Sequence, residues 1–306
     1  MRDSMRFSAP HPIPYQGSKR RLARAILSYV PADSYRRLVE PFAGSAAVTL
    51  AAASQRKFSS YVIGDSLKPL IELWDGILNS PEEIARRYDT LWQQERTRPI
   101  EAFYEIRSQF NVDRDPAKLL YLLARCVKNA VRFNPRGEFN QSPDKRRKGT
   151  HPDTMRVEIL AAQQVLKPRC RAIHCDFMTL FQNATKGDFF YLDPPYQGTS
   201  DGRDQRYIAG VSRGQLVEGL ELLNRKQIPF ILSYDGSCGQ RTYGTPLPDH
   251  LGKRIMLDVG RSSQATLNGR RDITVESLYV SHLLPVAHRP SILTLQDFSS
   301  QALLFG

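Results

Sequence analysis

The chain is short of cysteine, with four in 306 residues, at positions 126, 170, 175 and 238. None forms a C-x-x-C pair, so neither a zinc site nor a disulfide scaffold is expected, and no metal is called for. The spacing suits reduced thiols in the cytoplasm. Pro168-Arg169-Cys170 is not a Pro-Cys pair, which counts against a cysteine nucleophile working on a cytosine ring carbon. Long apolar runs are also missing. The longest small-apolar stretch, Ala43 to Ala53, is too short to span a bilayer. Met1 to His11 is polar and broken by proline, unlike a secretory leader. No basic amphipathic helix or lipidation motif is evident, so no membrane partner is expected. Acidic residues are too few to balance the basic ones: 31 against 43, a net charge of +12. Such an excess points to a polyanionic partner. A G-x-G-x-x-G phosphate cradle is lacking too, which weakens a dinucleotide reading.

What is present is a series of short apolar runs, each ending at a residue with chemistry to offer. They are Arg37-Leu38-Val39-Glu40-Pro41-Phe42, Tyr61-Val62-Ile63-Gly64-Asp65, Ala172-Ile173-His174-Cys175-Asp176, Asp188-Phe189-Phe190-Tyr191-Leu192 and Pro229-Phe230-Ile231-Leu232-Ser233-Tyr234, with a late strand at Thr274 to Val280. Helical patterns lie between them. Strands alternating with helices predict an α/β fold built on a doubly wound, largely parallel sheet. In such sheets ligands sit at the carboxyl ends of the strands.

The stretch 74–165 breaks this rhythm. It is helical in pattern over Ile84 to Glu95, Glu101 to Phe110 and Pro116 to Val131. We read it as an inserted helical target-recognition domain between the two parts of a catalytic domain, 1–73 and 166–306. From Arg125 to Arg156 it carries nine Lys/Arg against three Asp/Glu. The run Lys145-Arg146-Arg147-Lys148 is the densest part, and a solvated surface is its plainer use. The neighbouring Arg132-Phe133-Asn134-Pro135-Arg136-Gly137-Glu138-Phe139-Asn140 mixes forked donors, amides and aromatics. That mixture suits a surface that reads and wedges bases.

The sharpest motif is Asp193-Pro194-Pro195-Tyr196, directly after an apolar strand. Two prolines there can simply make a turn. The chemical reading is more specific. An exocyclic amine on a nucleobase is a poor nucleophile, because its lone pair is delocalised into the ring. The Asp193 carboxylate and the Pro194 carbonyl can each accept one N–H of such an amine, freeing the lone pair for an electrophile. Tyr196 can stack on the base once it has left the duplex. Orientation rather than a covalent intermediate supplies the rate.

A nucleoside cofactor without phosphates fits the first half. The turn Glu40-Pro41-Phe42-Ala43-Gly44 lets backbone approach at Gly44, with Phe42 beside it and Glu40 as a candidate partner for an α-ammonium. Asp65, 25 residues beyond Glu40, is placed for ribose hydroxyls. Asp176 is a candidate for an adenine amine. For each acid alone a helix cap or turn is an equally ready use. In Pro14-Tyr15-Gln16-Gly17-Ser18-Lys19, Ser18 is expected to cap a helix starting at Lys19. Lys19 is expected to meet a cofactor carboxylate, with Tyr15 packing beside a sulfonium or adenine.

Taken together, PYQGSK, LVEPFAGSAAV, the acid of IGDS, YEIRSQFN, RFNPRGEFN, DPPY and IPFILSYDG resemble, in order and spacing, the Dam-type DNA adenine methyltransferases of the alpha group. The resemblance covers Pro12 to Val280. It implies a class I (Rossmann-like) methyltransferase fold, S-adenosylmethionine as methyl donor, and methylation of adenine N6 in double-stranded DNA. It implies cofactor contacts at Tyr15, Lys19, Asp65, Asp193 and Asp176. It also implies DNA contacts in the insert, with Arg132 reading a guanine and Asn129 touching base or phosphate; the charge and mixture of the residues themselves add Asn134, Arg136, Lys145, Arg146, Arg147 and Lys148 as candidate DNA contacts. A cognate restriction endonuclease is a candidate partner. This chain has Tyr15 where relatives often have tryptophan, Ser18 where they have glycine, and Lys128-Asn129-Ala130 in place of Tyr-Asn-Gly. RNA bases, a protein glutamine and cytosine N4 stay open as methyl acceptors, as does an inactive DNA-binding descendant.

Overall fold

The computed structural model describes residues 9–94, 97–195, 211–238, 241–243, 245–261, 273–285 and 292–294. Its centre is a nine-stranded sheet. The strands are β1 (Arg37–Glu40), β2 (Ser60–Asp65), β3 (Cys170–His174), β4 (Asp188–Leu192), β5 (Phe230–Cys238), β6 (Arg241–Tyr243), β7 (Lys253–Arg261), β8 (Ile273–Val280) and β9 (Ile292–Thr294). They run in the order β3-β2-β1-β4-β5-β8-β7-β9, with β6 pairing β5. β3, β2, β1, β4 and β5 are mutually parallel, and β8 runs antiparallel to both β5 and β7.

Two core clusters show why the sheet is wound on both sides. Side chains alternate along each strand. Leu38, Phe189 and Tyr191 join one cluster, while Val39, Phe190 and Leu192 join the other. The first cluster takes in α1 (Ala23–Leu27), α2 (Ala47–Ser54) and α3 (Lys68–Asn79). The second takes in α8 (Phe177–Gln182) and α9 (Arg213–Arg225). Burial on both faces explains why β4 reads as an unbroken apolar run.

The helices α4 (Pro81–Gln94), α5 (Pro99–Asp113), α6 (Pro116–Arg125) and α7 (Pro152–Leu166) follow α3 in the chain. Their apolar residues belong to the same cluster as α1 to α3. α6 lies at the centre of this group and packs on α3, α4 and α5, while α7 packs on α2, α3 and α4. Asp115 caps α6 by accepting from the amides of Ala117 at 2.9 Å and Lys118 at 3.0 Å.

Two sequence expectations need correction. The helix expected to reach Val131 ends at Arg125. Its apolar period continues through Val127, Ala130 and Val131, but Lys128 and Asn129 sit at φ 61° and 53°, which no right-handed helix accepts. The side-chain amide of Asn129 instead folds back to the Leu123 carbonyl at 2.8 Å. The third apolar run was expected to carry Asp176 at a strand end. β3 stops at His174, and Asp176 becomes the N-cap of α8, accepting from the Met178 amide at 2.8 Å.

The amino ends of β1 and β4 are pinned by charge. Arg37 makes a forked contact with Asp188, Nε to Oδ1 at 2.8 Å and Nη2 to Oδ2 at 2.7 Å. Asp188 is nearly fully buried and also accepts from the Thr185 amide and hydroxyl. Arg37→Met leaves that carboxylate with its Thr185 donors only. We expect a loss of about 2–3 kcal/mol of stability, read as a lower urea midpoint. A loss under about 0.5 kcal/mol would show that the fork does not pin the strands.

Candidate active site

The chain leaves β1 outward to β2 and β3 on one side, then returns to β4 and β5 on the other. The reversal falls between β1 and β4. This is the place where an open α/β sheet leaves a crevice at its strand ends. Glu40 ends β1 and Asp193 follows β4, so both acids stand at it.

The turn after β1 is shaped by backbone conformation. Gly44 has φ +50° and Ala46 φ 47°. A Cβ on Gly44 would lie 3.1 Å from the ring of Tyr15, so glycine suits the left-handed turn and spares that ring a displacement. Three neighbours fix the turn: Gly44 N–H donates to Asp65 Oδ2 at 3.2 Å, Trp74 Nε1–H donates to the Gly44 carbonyl at 3.0 Å, and Ser45 Oγ bonds Ser18 Oγ at 2.8 Å. Ser18 therefore does not cap the short 3-10 turn Lys19–Arg21, as the sequence had suggested; its hydroxyl is taken by Ser45. Phe42 stacks at a tilt on Phe177, centroids 5.1 Å apart, and the pair forms an aromatic wall beside the turn.

The acids differ in state. Asp65 accepts from Gly44 N–H and, through Oδ1, from Leu67 N–H at 2.9 Å. Burial pushes its carboxyl up to about 6, against those two hydrogen bonds. Glu40 is buried, and Oε2 accepts from both the amide (3.0 Å) and the hydroxyl (2.5 Å) of Thr49. Burial pushes Glu40 to about 8, so it holds its proton at neutral pH. A cation brought against it would favour the ionised form. Asp176 is exposed and spends one oxygen on its helix cap.

Asp193 is the pivot. Its side chain is about one-fifth exposed, 19%. Its Oδ1 receives Lys19 Nζ at 2.9 Å. Burial raises Asp193 to about 6, with the Lys19 ammonium pulling the other way. Lys19 is itself buried, at 6% exposure. Sequence reasoning sent Lys19 to a cofactor carboxylate, whereas here it meets the acid of the DPPY motif. Pro194 is buried directly behind Asp193. Tyr196 lies outside the described residues.

The strap that carries Tyr15 and Lys19 also touches the insert. Gln16 N–H donates to the Asn129 carbonyl at 2.9 Å, three residues before Arg132. From there the chain forms a small hairpin. Phe133 bridges Phe139, Asn134 N–H donates to the Glu138 carbonyl at 2.8 Å, and Asn140 N–H donates to the Arg132 carbonyl at 3.1 Å. Asn111 clamps Phe139 from α5, receiving its N–H at 2.7 Å and donating to its carbonyl at 3.0 Å. The Asn134 side chain closes the tip, accepting from Arg136 N–H at 2.9 Å and Glu138 N–H at 3.0 Å. Arg132 is half-buried at the hairpin base, and Arg136 is exposed at its tip. A cavity of about 280 Å³ lies between this hairpin and the start of α3, lined by Leu67, Pro69, Glu72, Arg114, Phe133 and Gly137.

The basic run is exposed from Lys145 to Lys148. Its backbone is held from below by a residue that the sequence reading passed over. Arg125 is buried at 4% exposure, and its Nη1 donates to the carbonyls of Asp144 and Arg147. The Arg146 amide and the Arg147 guanidinium hold the Asp144 carboxyl below its ordinary range. Thr49, Trp74 and Phe177 were likewise missed. An apolar or hydroxyl residue that shapes a site by packing leaves no signal in its own position.

Residues 15–258 match the model of the D12 class N6 adenine-specific DNA methyltransferases. The chain belongs to that family. The match takes in the strap, the turn after β1, the insert and the DPPY loop, and the doubly wound sheet is the one that family's class I fold requires. Similar proteins include the retron Ec67 DNA adenine methylase of Escherichia coli, 28% identical over 82% of this chain and 87% of its own length. The DNA adenine methylase of Salmonella typhi is 28% identical over 64% of this chain and 70% of its own. Modification methylase StsI of Streptococcus sanguinis is 27% identical over 72% of this chain and 35% of its own. Among the described residues, no helix of this methyltransferase is long and apolar enough to cross a membrane.

Proposed function

We propose that this methyltransferase moves a methyl group from S-adenosylmethionine to N6 of an adenine flipped out of a specific site in double-stranded DNA. The observation that carries the reading is the continuity of Asp193, Lys19, the strap and the hairpin. The acid that would grip the amine is tied, through Lys19 and the Gln16–Asn129 hydrogen bond, to the segment that would read bases.

The residues at the sheet reversal fit such a cofactor. Gly44 leaves a turn without a side chain, Tyr15, Phe42 and Phe177 offer aromatic faces, and Asp65 and Asp193 supply acids for a ligand with a net positive charge. Glu40 and Asp176 border the same place. When bound, S-adenosylmethionine supplies the methyl carbon: the amine forms the N–C bond, the C–S electrons stay on sulfur, and the amine proton leaves to solvent. The chain's part is orientation. Asp193 and the Pro194 carbonyl each accept an N–H of the amine, and Tyr196 stacks on the base. Asp193 acts as an acceptor rather than as a strong base. Arg132, Arg136, Asn129 and Asn134 face base edges and backbone, and the run 145–148 neutralises phosphates. Of these, Asn134 reaches DNA from a side chain that also closes the hairpin tip, and Asn129 from one tied back to the Leu123 carbonyl of α6.

The test offers unmethylated duplex DNA, RNA and protein with methyl-labelled cofactor. Label in N6-methyladenine of the duplex is the expected result. Label in RNA, in protein or in N4-methylcytosine alone would overturn the proposal. The acid limb adds a second check. Asp193 must be ionised to accept, and its value near 6 places the fall of kcat/KM as pH drops through about 6. An unperturbed aspartate would keep the rate level to about pH 4. A cytoplasmic, DNA-associated protein follows from this reading. A restriction endonuclease as partner draws support from the name of the Streptococcus relative.

A further inference from the structure

One acid near the reaction centre is used by nothing described so far. Glu276 stands on β8, opposite Gly236 of β5 and Leu257 of β7. The register of β5 against β8 shifts between Ser233 and Gly236, and such a bulge re-aims side chains beside it. Glu276 points to Lys19: its Oε2 lies 3.6 Å from Lys19 Nζ. That is too long for a hydrogen bond, whereas the 2.9 Å from Lys19 to Asp193 is a full charge-assisted one. Glu276 Oε2 is buried and, among the described residues, receives no hydrogen bond. A buried carboxylate oxygen without a donor is costly and calls for a use.

The use follows from a count of partners. Asp193 holds the Lys19 ammonium on Oδ1. An incoming amine needs the same carboxylate. An amine accepted on Oδ2 shares the carboxylate's charge with Lys19 and weakens the bond to Oδ1, so a second anion beside the ammonium gains weight. A shift of under about 1 Å brings Lys19 Nζ into bonding distance of Glu276 Oε2. We propose that Glu276 is a positioning residue of the methyl-transfer step, receiving the Lys19 ammonium when the target amine claims Asp193. The inference rests on the adenine-methylating reading of Asp193. No proton moves in the exchange: Lys19 stays charged, and its partner changes from one carboxylate to the other. Among the described residues, the groups round Asp193 are Lys19 from the strap, Glu276 from β8, Tyr191 from β4 and Glu40 from β1.

The experiment measures kcat, both KM values and the pH profile of the full chain and of Glu276→Gln on unmethylated duplex DNA. Glutamine keeps the shape and removes the charge. Without the Glu276 charge, Lys19 stays on Asp193 and competes with the amine for it, and kcat falls about tenfold while KM for DNA and for cofactor stays within about twofold. One negative charge beside Asp193 is gone, so the acid limb of kcat moves to lower pH. Glu276→Asp keeps the charge: its acid limb stays in place and part of the kcat returns. It is the variant to read if the glutamine form does not fold. A folded Glu276→Gln with kcat within twofold of the parent and an unmoved acid limb overturns the inference. So does a lower melting temperature with kcat per folded molecule unchanged, the mark of a purely structural role. Failure of the unaltered chain to methylate DNA sinks the proposed function instead, so the two failures are distinct.

Discussion

Replacing Asp193 by alanine is expected to cut methyl transfer by about a thousandfold or more, the scale seen when a preorganised group aimed at the reacting atom is removed. Three features of the site argue for so large an effect. The carboxylate stands at the crevice between β1 and β4. It is held by a buried lysine at 2.9 Å. Its burial opposes ionisation, so the fold maintains an acid there at some cost. DNA binding should survive, because the basic run lies on the insert, away from this acid in the chain. Stability should fall somewhat, since the change takes the bonded carboxylate from the buried Lys19 ammonium and leaves Glu276 at 3.6 Å, so rates are compared per folded molecule. Filter-binding and single-turnover assays on one preparation check both halves. An alanine variant that methylates at more than about a tenth of the parent rate would remove Asp193 from the mechanism.

The second large effect concerns the basic loop. Changing Lys145, Arg146, Arg147 and Lys148 together to glutamine is expected to weaken DNA binding by about 100-fold at low salt. The slope of log affinity against log salt should fall by about 0.9 for each phosphate that is no longer neutralised. Arg147 pairs with Asp144 at 3.0 Å, so about three phosphate partners are at stake rather than four. The sequence methylated should not change, because charge on the DNA backbone positions a protein without revealing the bases. Affinity and salt slope equal to those of the parent would show that the loop is only a solvated surface.

The parts of the fold that were legible in the sequence share one property. β1, β2, β4 and the first half of β5 are buried on both faces, so each appears as a short apolar run ending at an acid, a proline or a tyrosine. β7 was not seen. Lys253-Arg254-Ile255-Met256-Leu257-Asp258 mixes charge with apolar residues, as suits a strand near the sheet edge, with only short β9 beyond it. The end of α6 was misread because its apolar spacing runs past the point where Lys128 turns left-handed. Glu40, Asp65 and Asp193 stand where the strand pattern placed them and Asp176 does not, while the partners of all four were not legible. Lys19 was matched to a ligand and bonds Asp193; Ser18 was matched to a helix and bonds Ser45. Both partners lie distant in sequence, and local chemistry carries no information about them. Glu276 was passed over for the same reason, although an acid between Val275 and Ser277 in an otherwise apolar strand is a signal in itself.

The hairpin at 132–140 has a scaffold and a tip that answer to different residues. Asn111 and the side chain of Asn134 fix its backbone, while the side chains of Pro135 and Arg136 are exposed at the tip. A lineage carrying this arrangement can exchange the tip and drift to a new target word while the scaffold stays the same. On the proposed base-reading role of the hairpin, a library varied only at Pro135 and Arg136 retains the asparagine frame in every member and is the place to seek a new target.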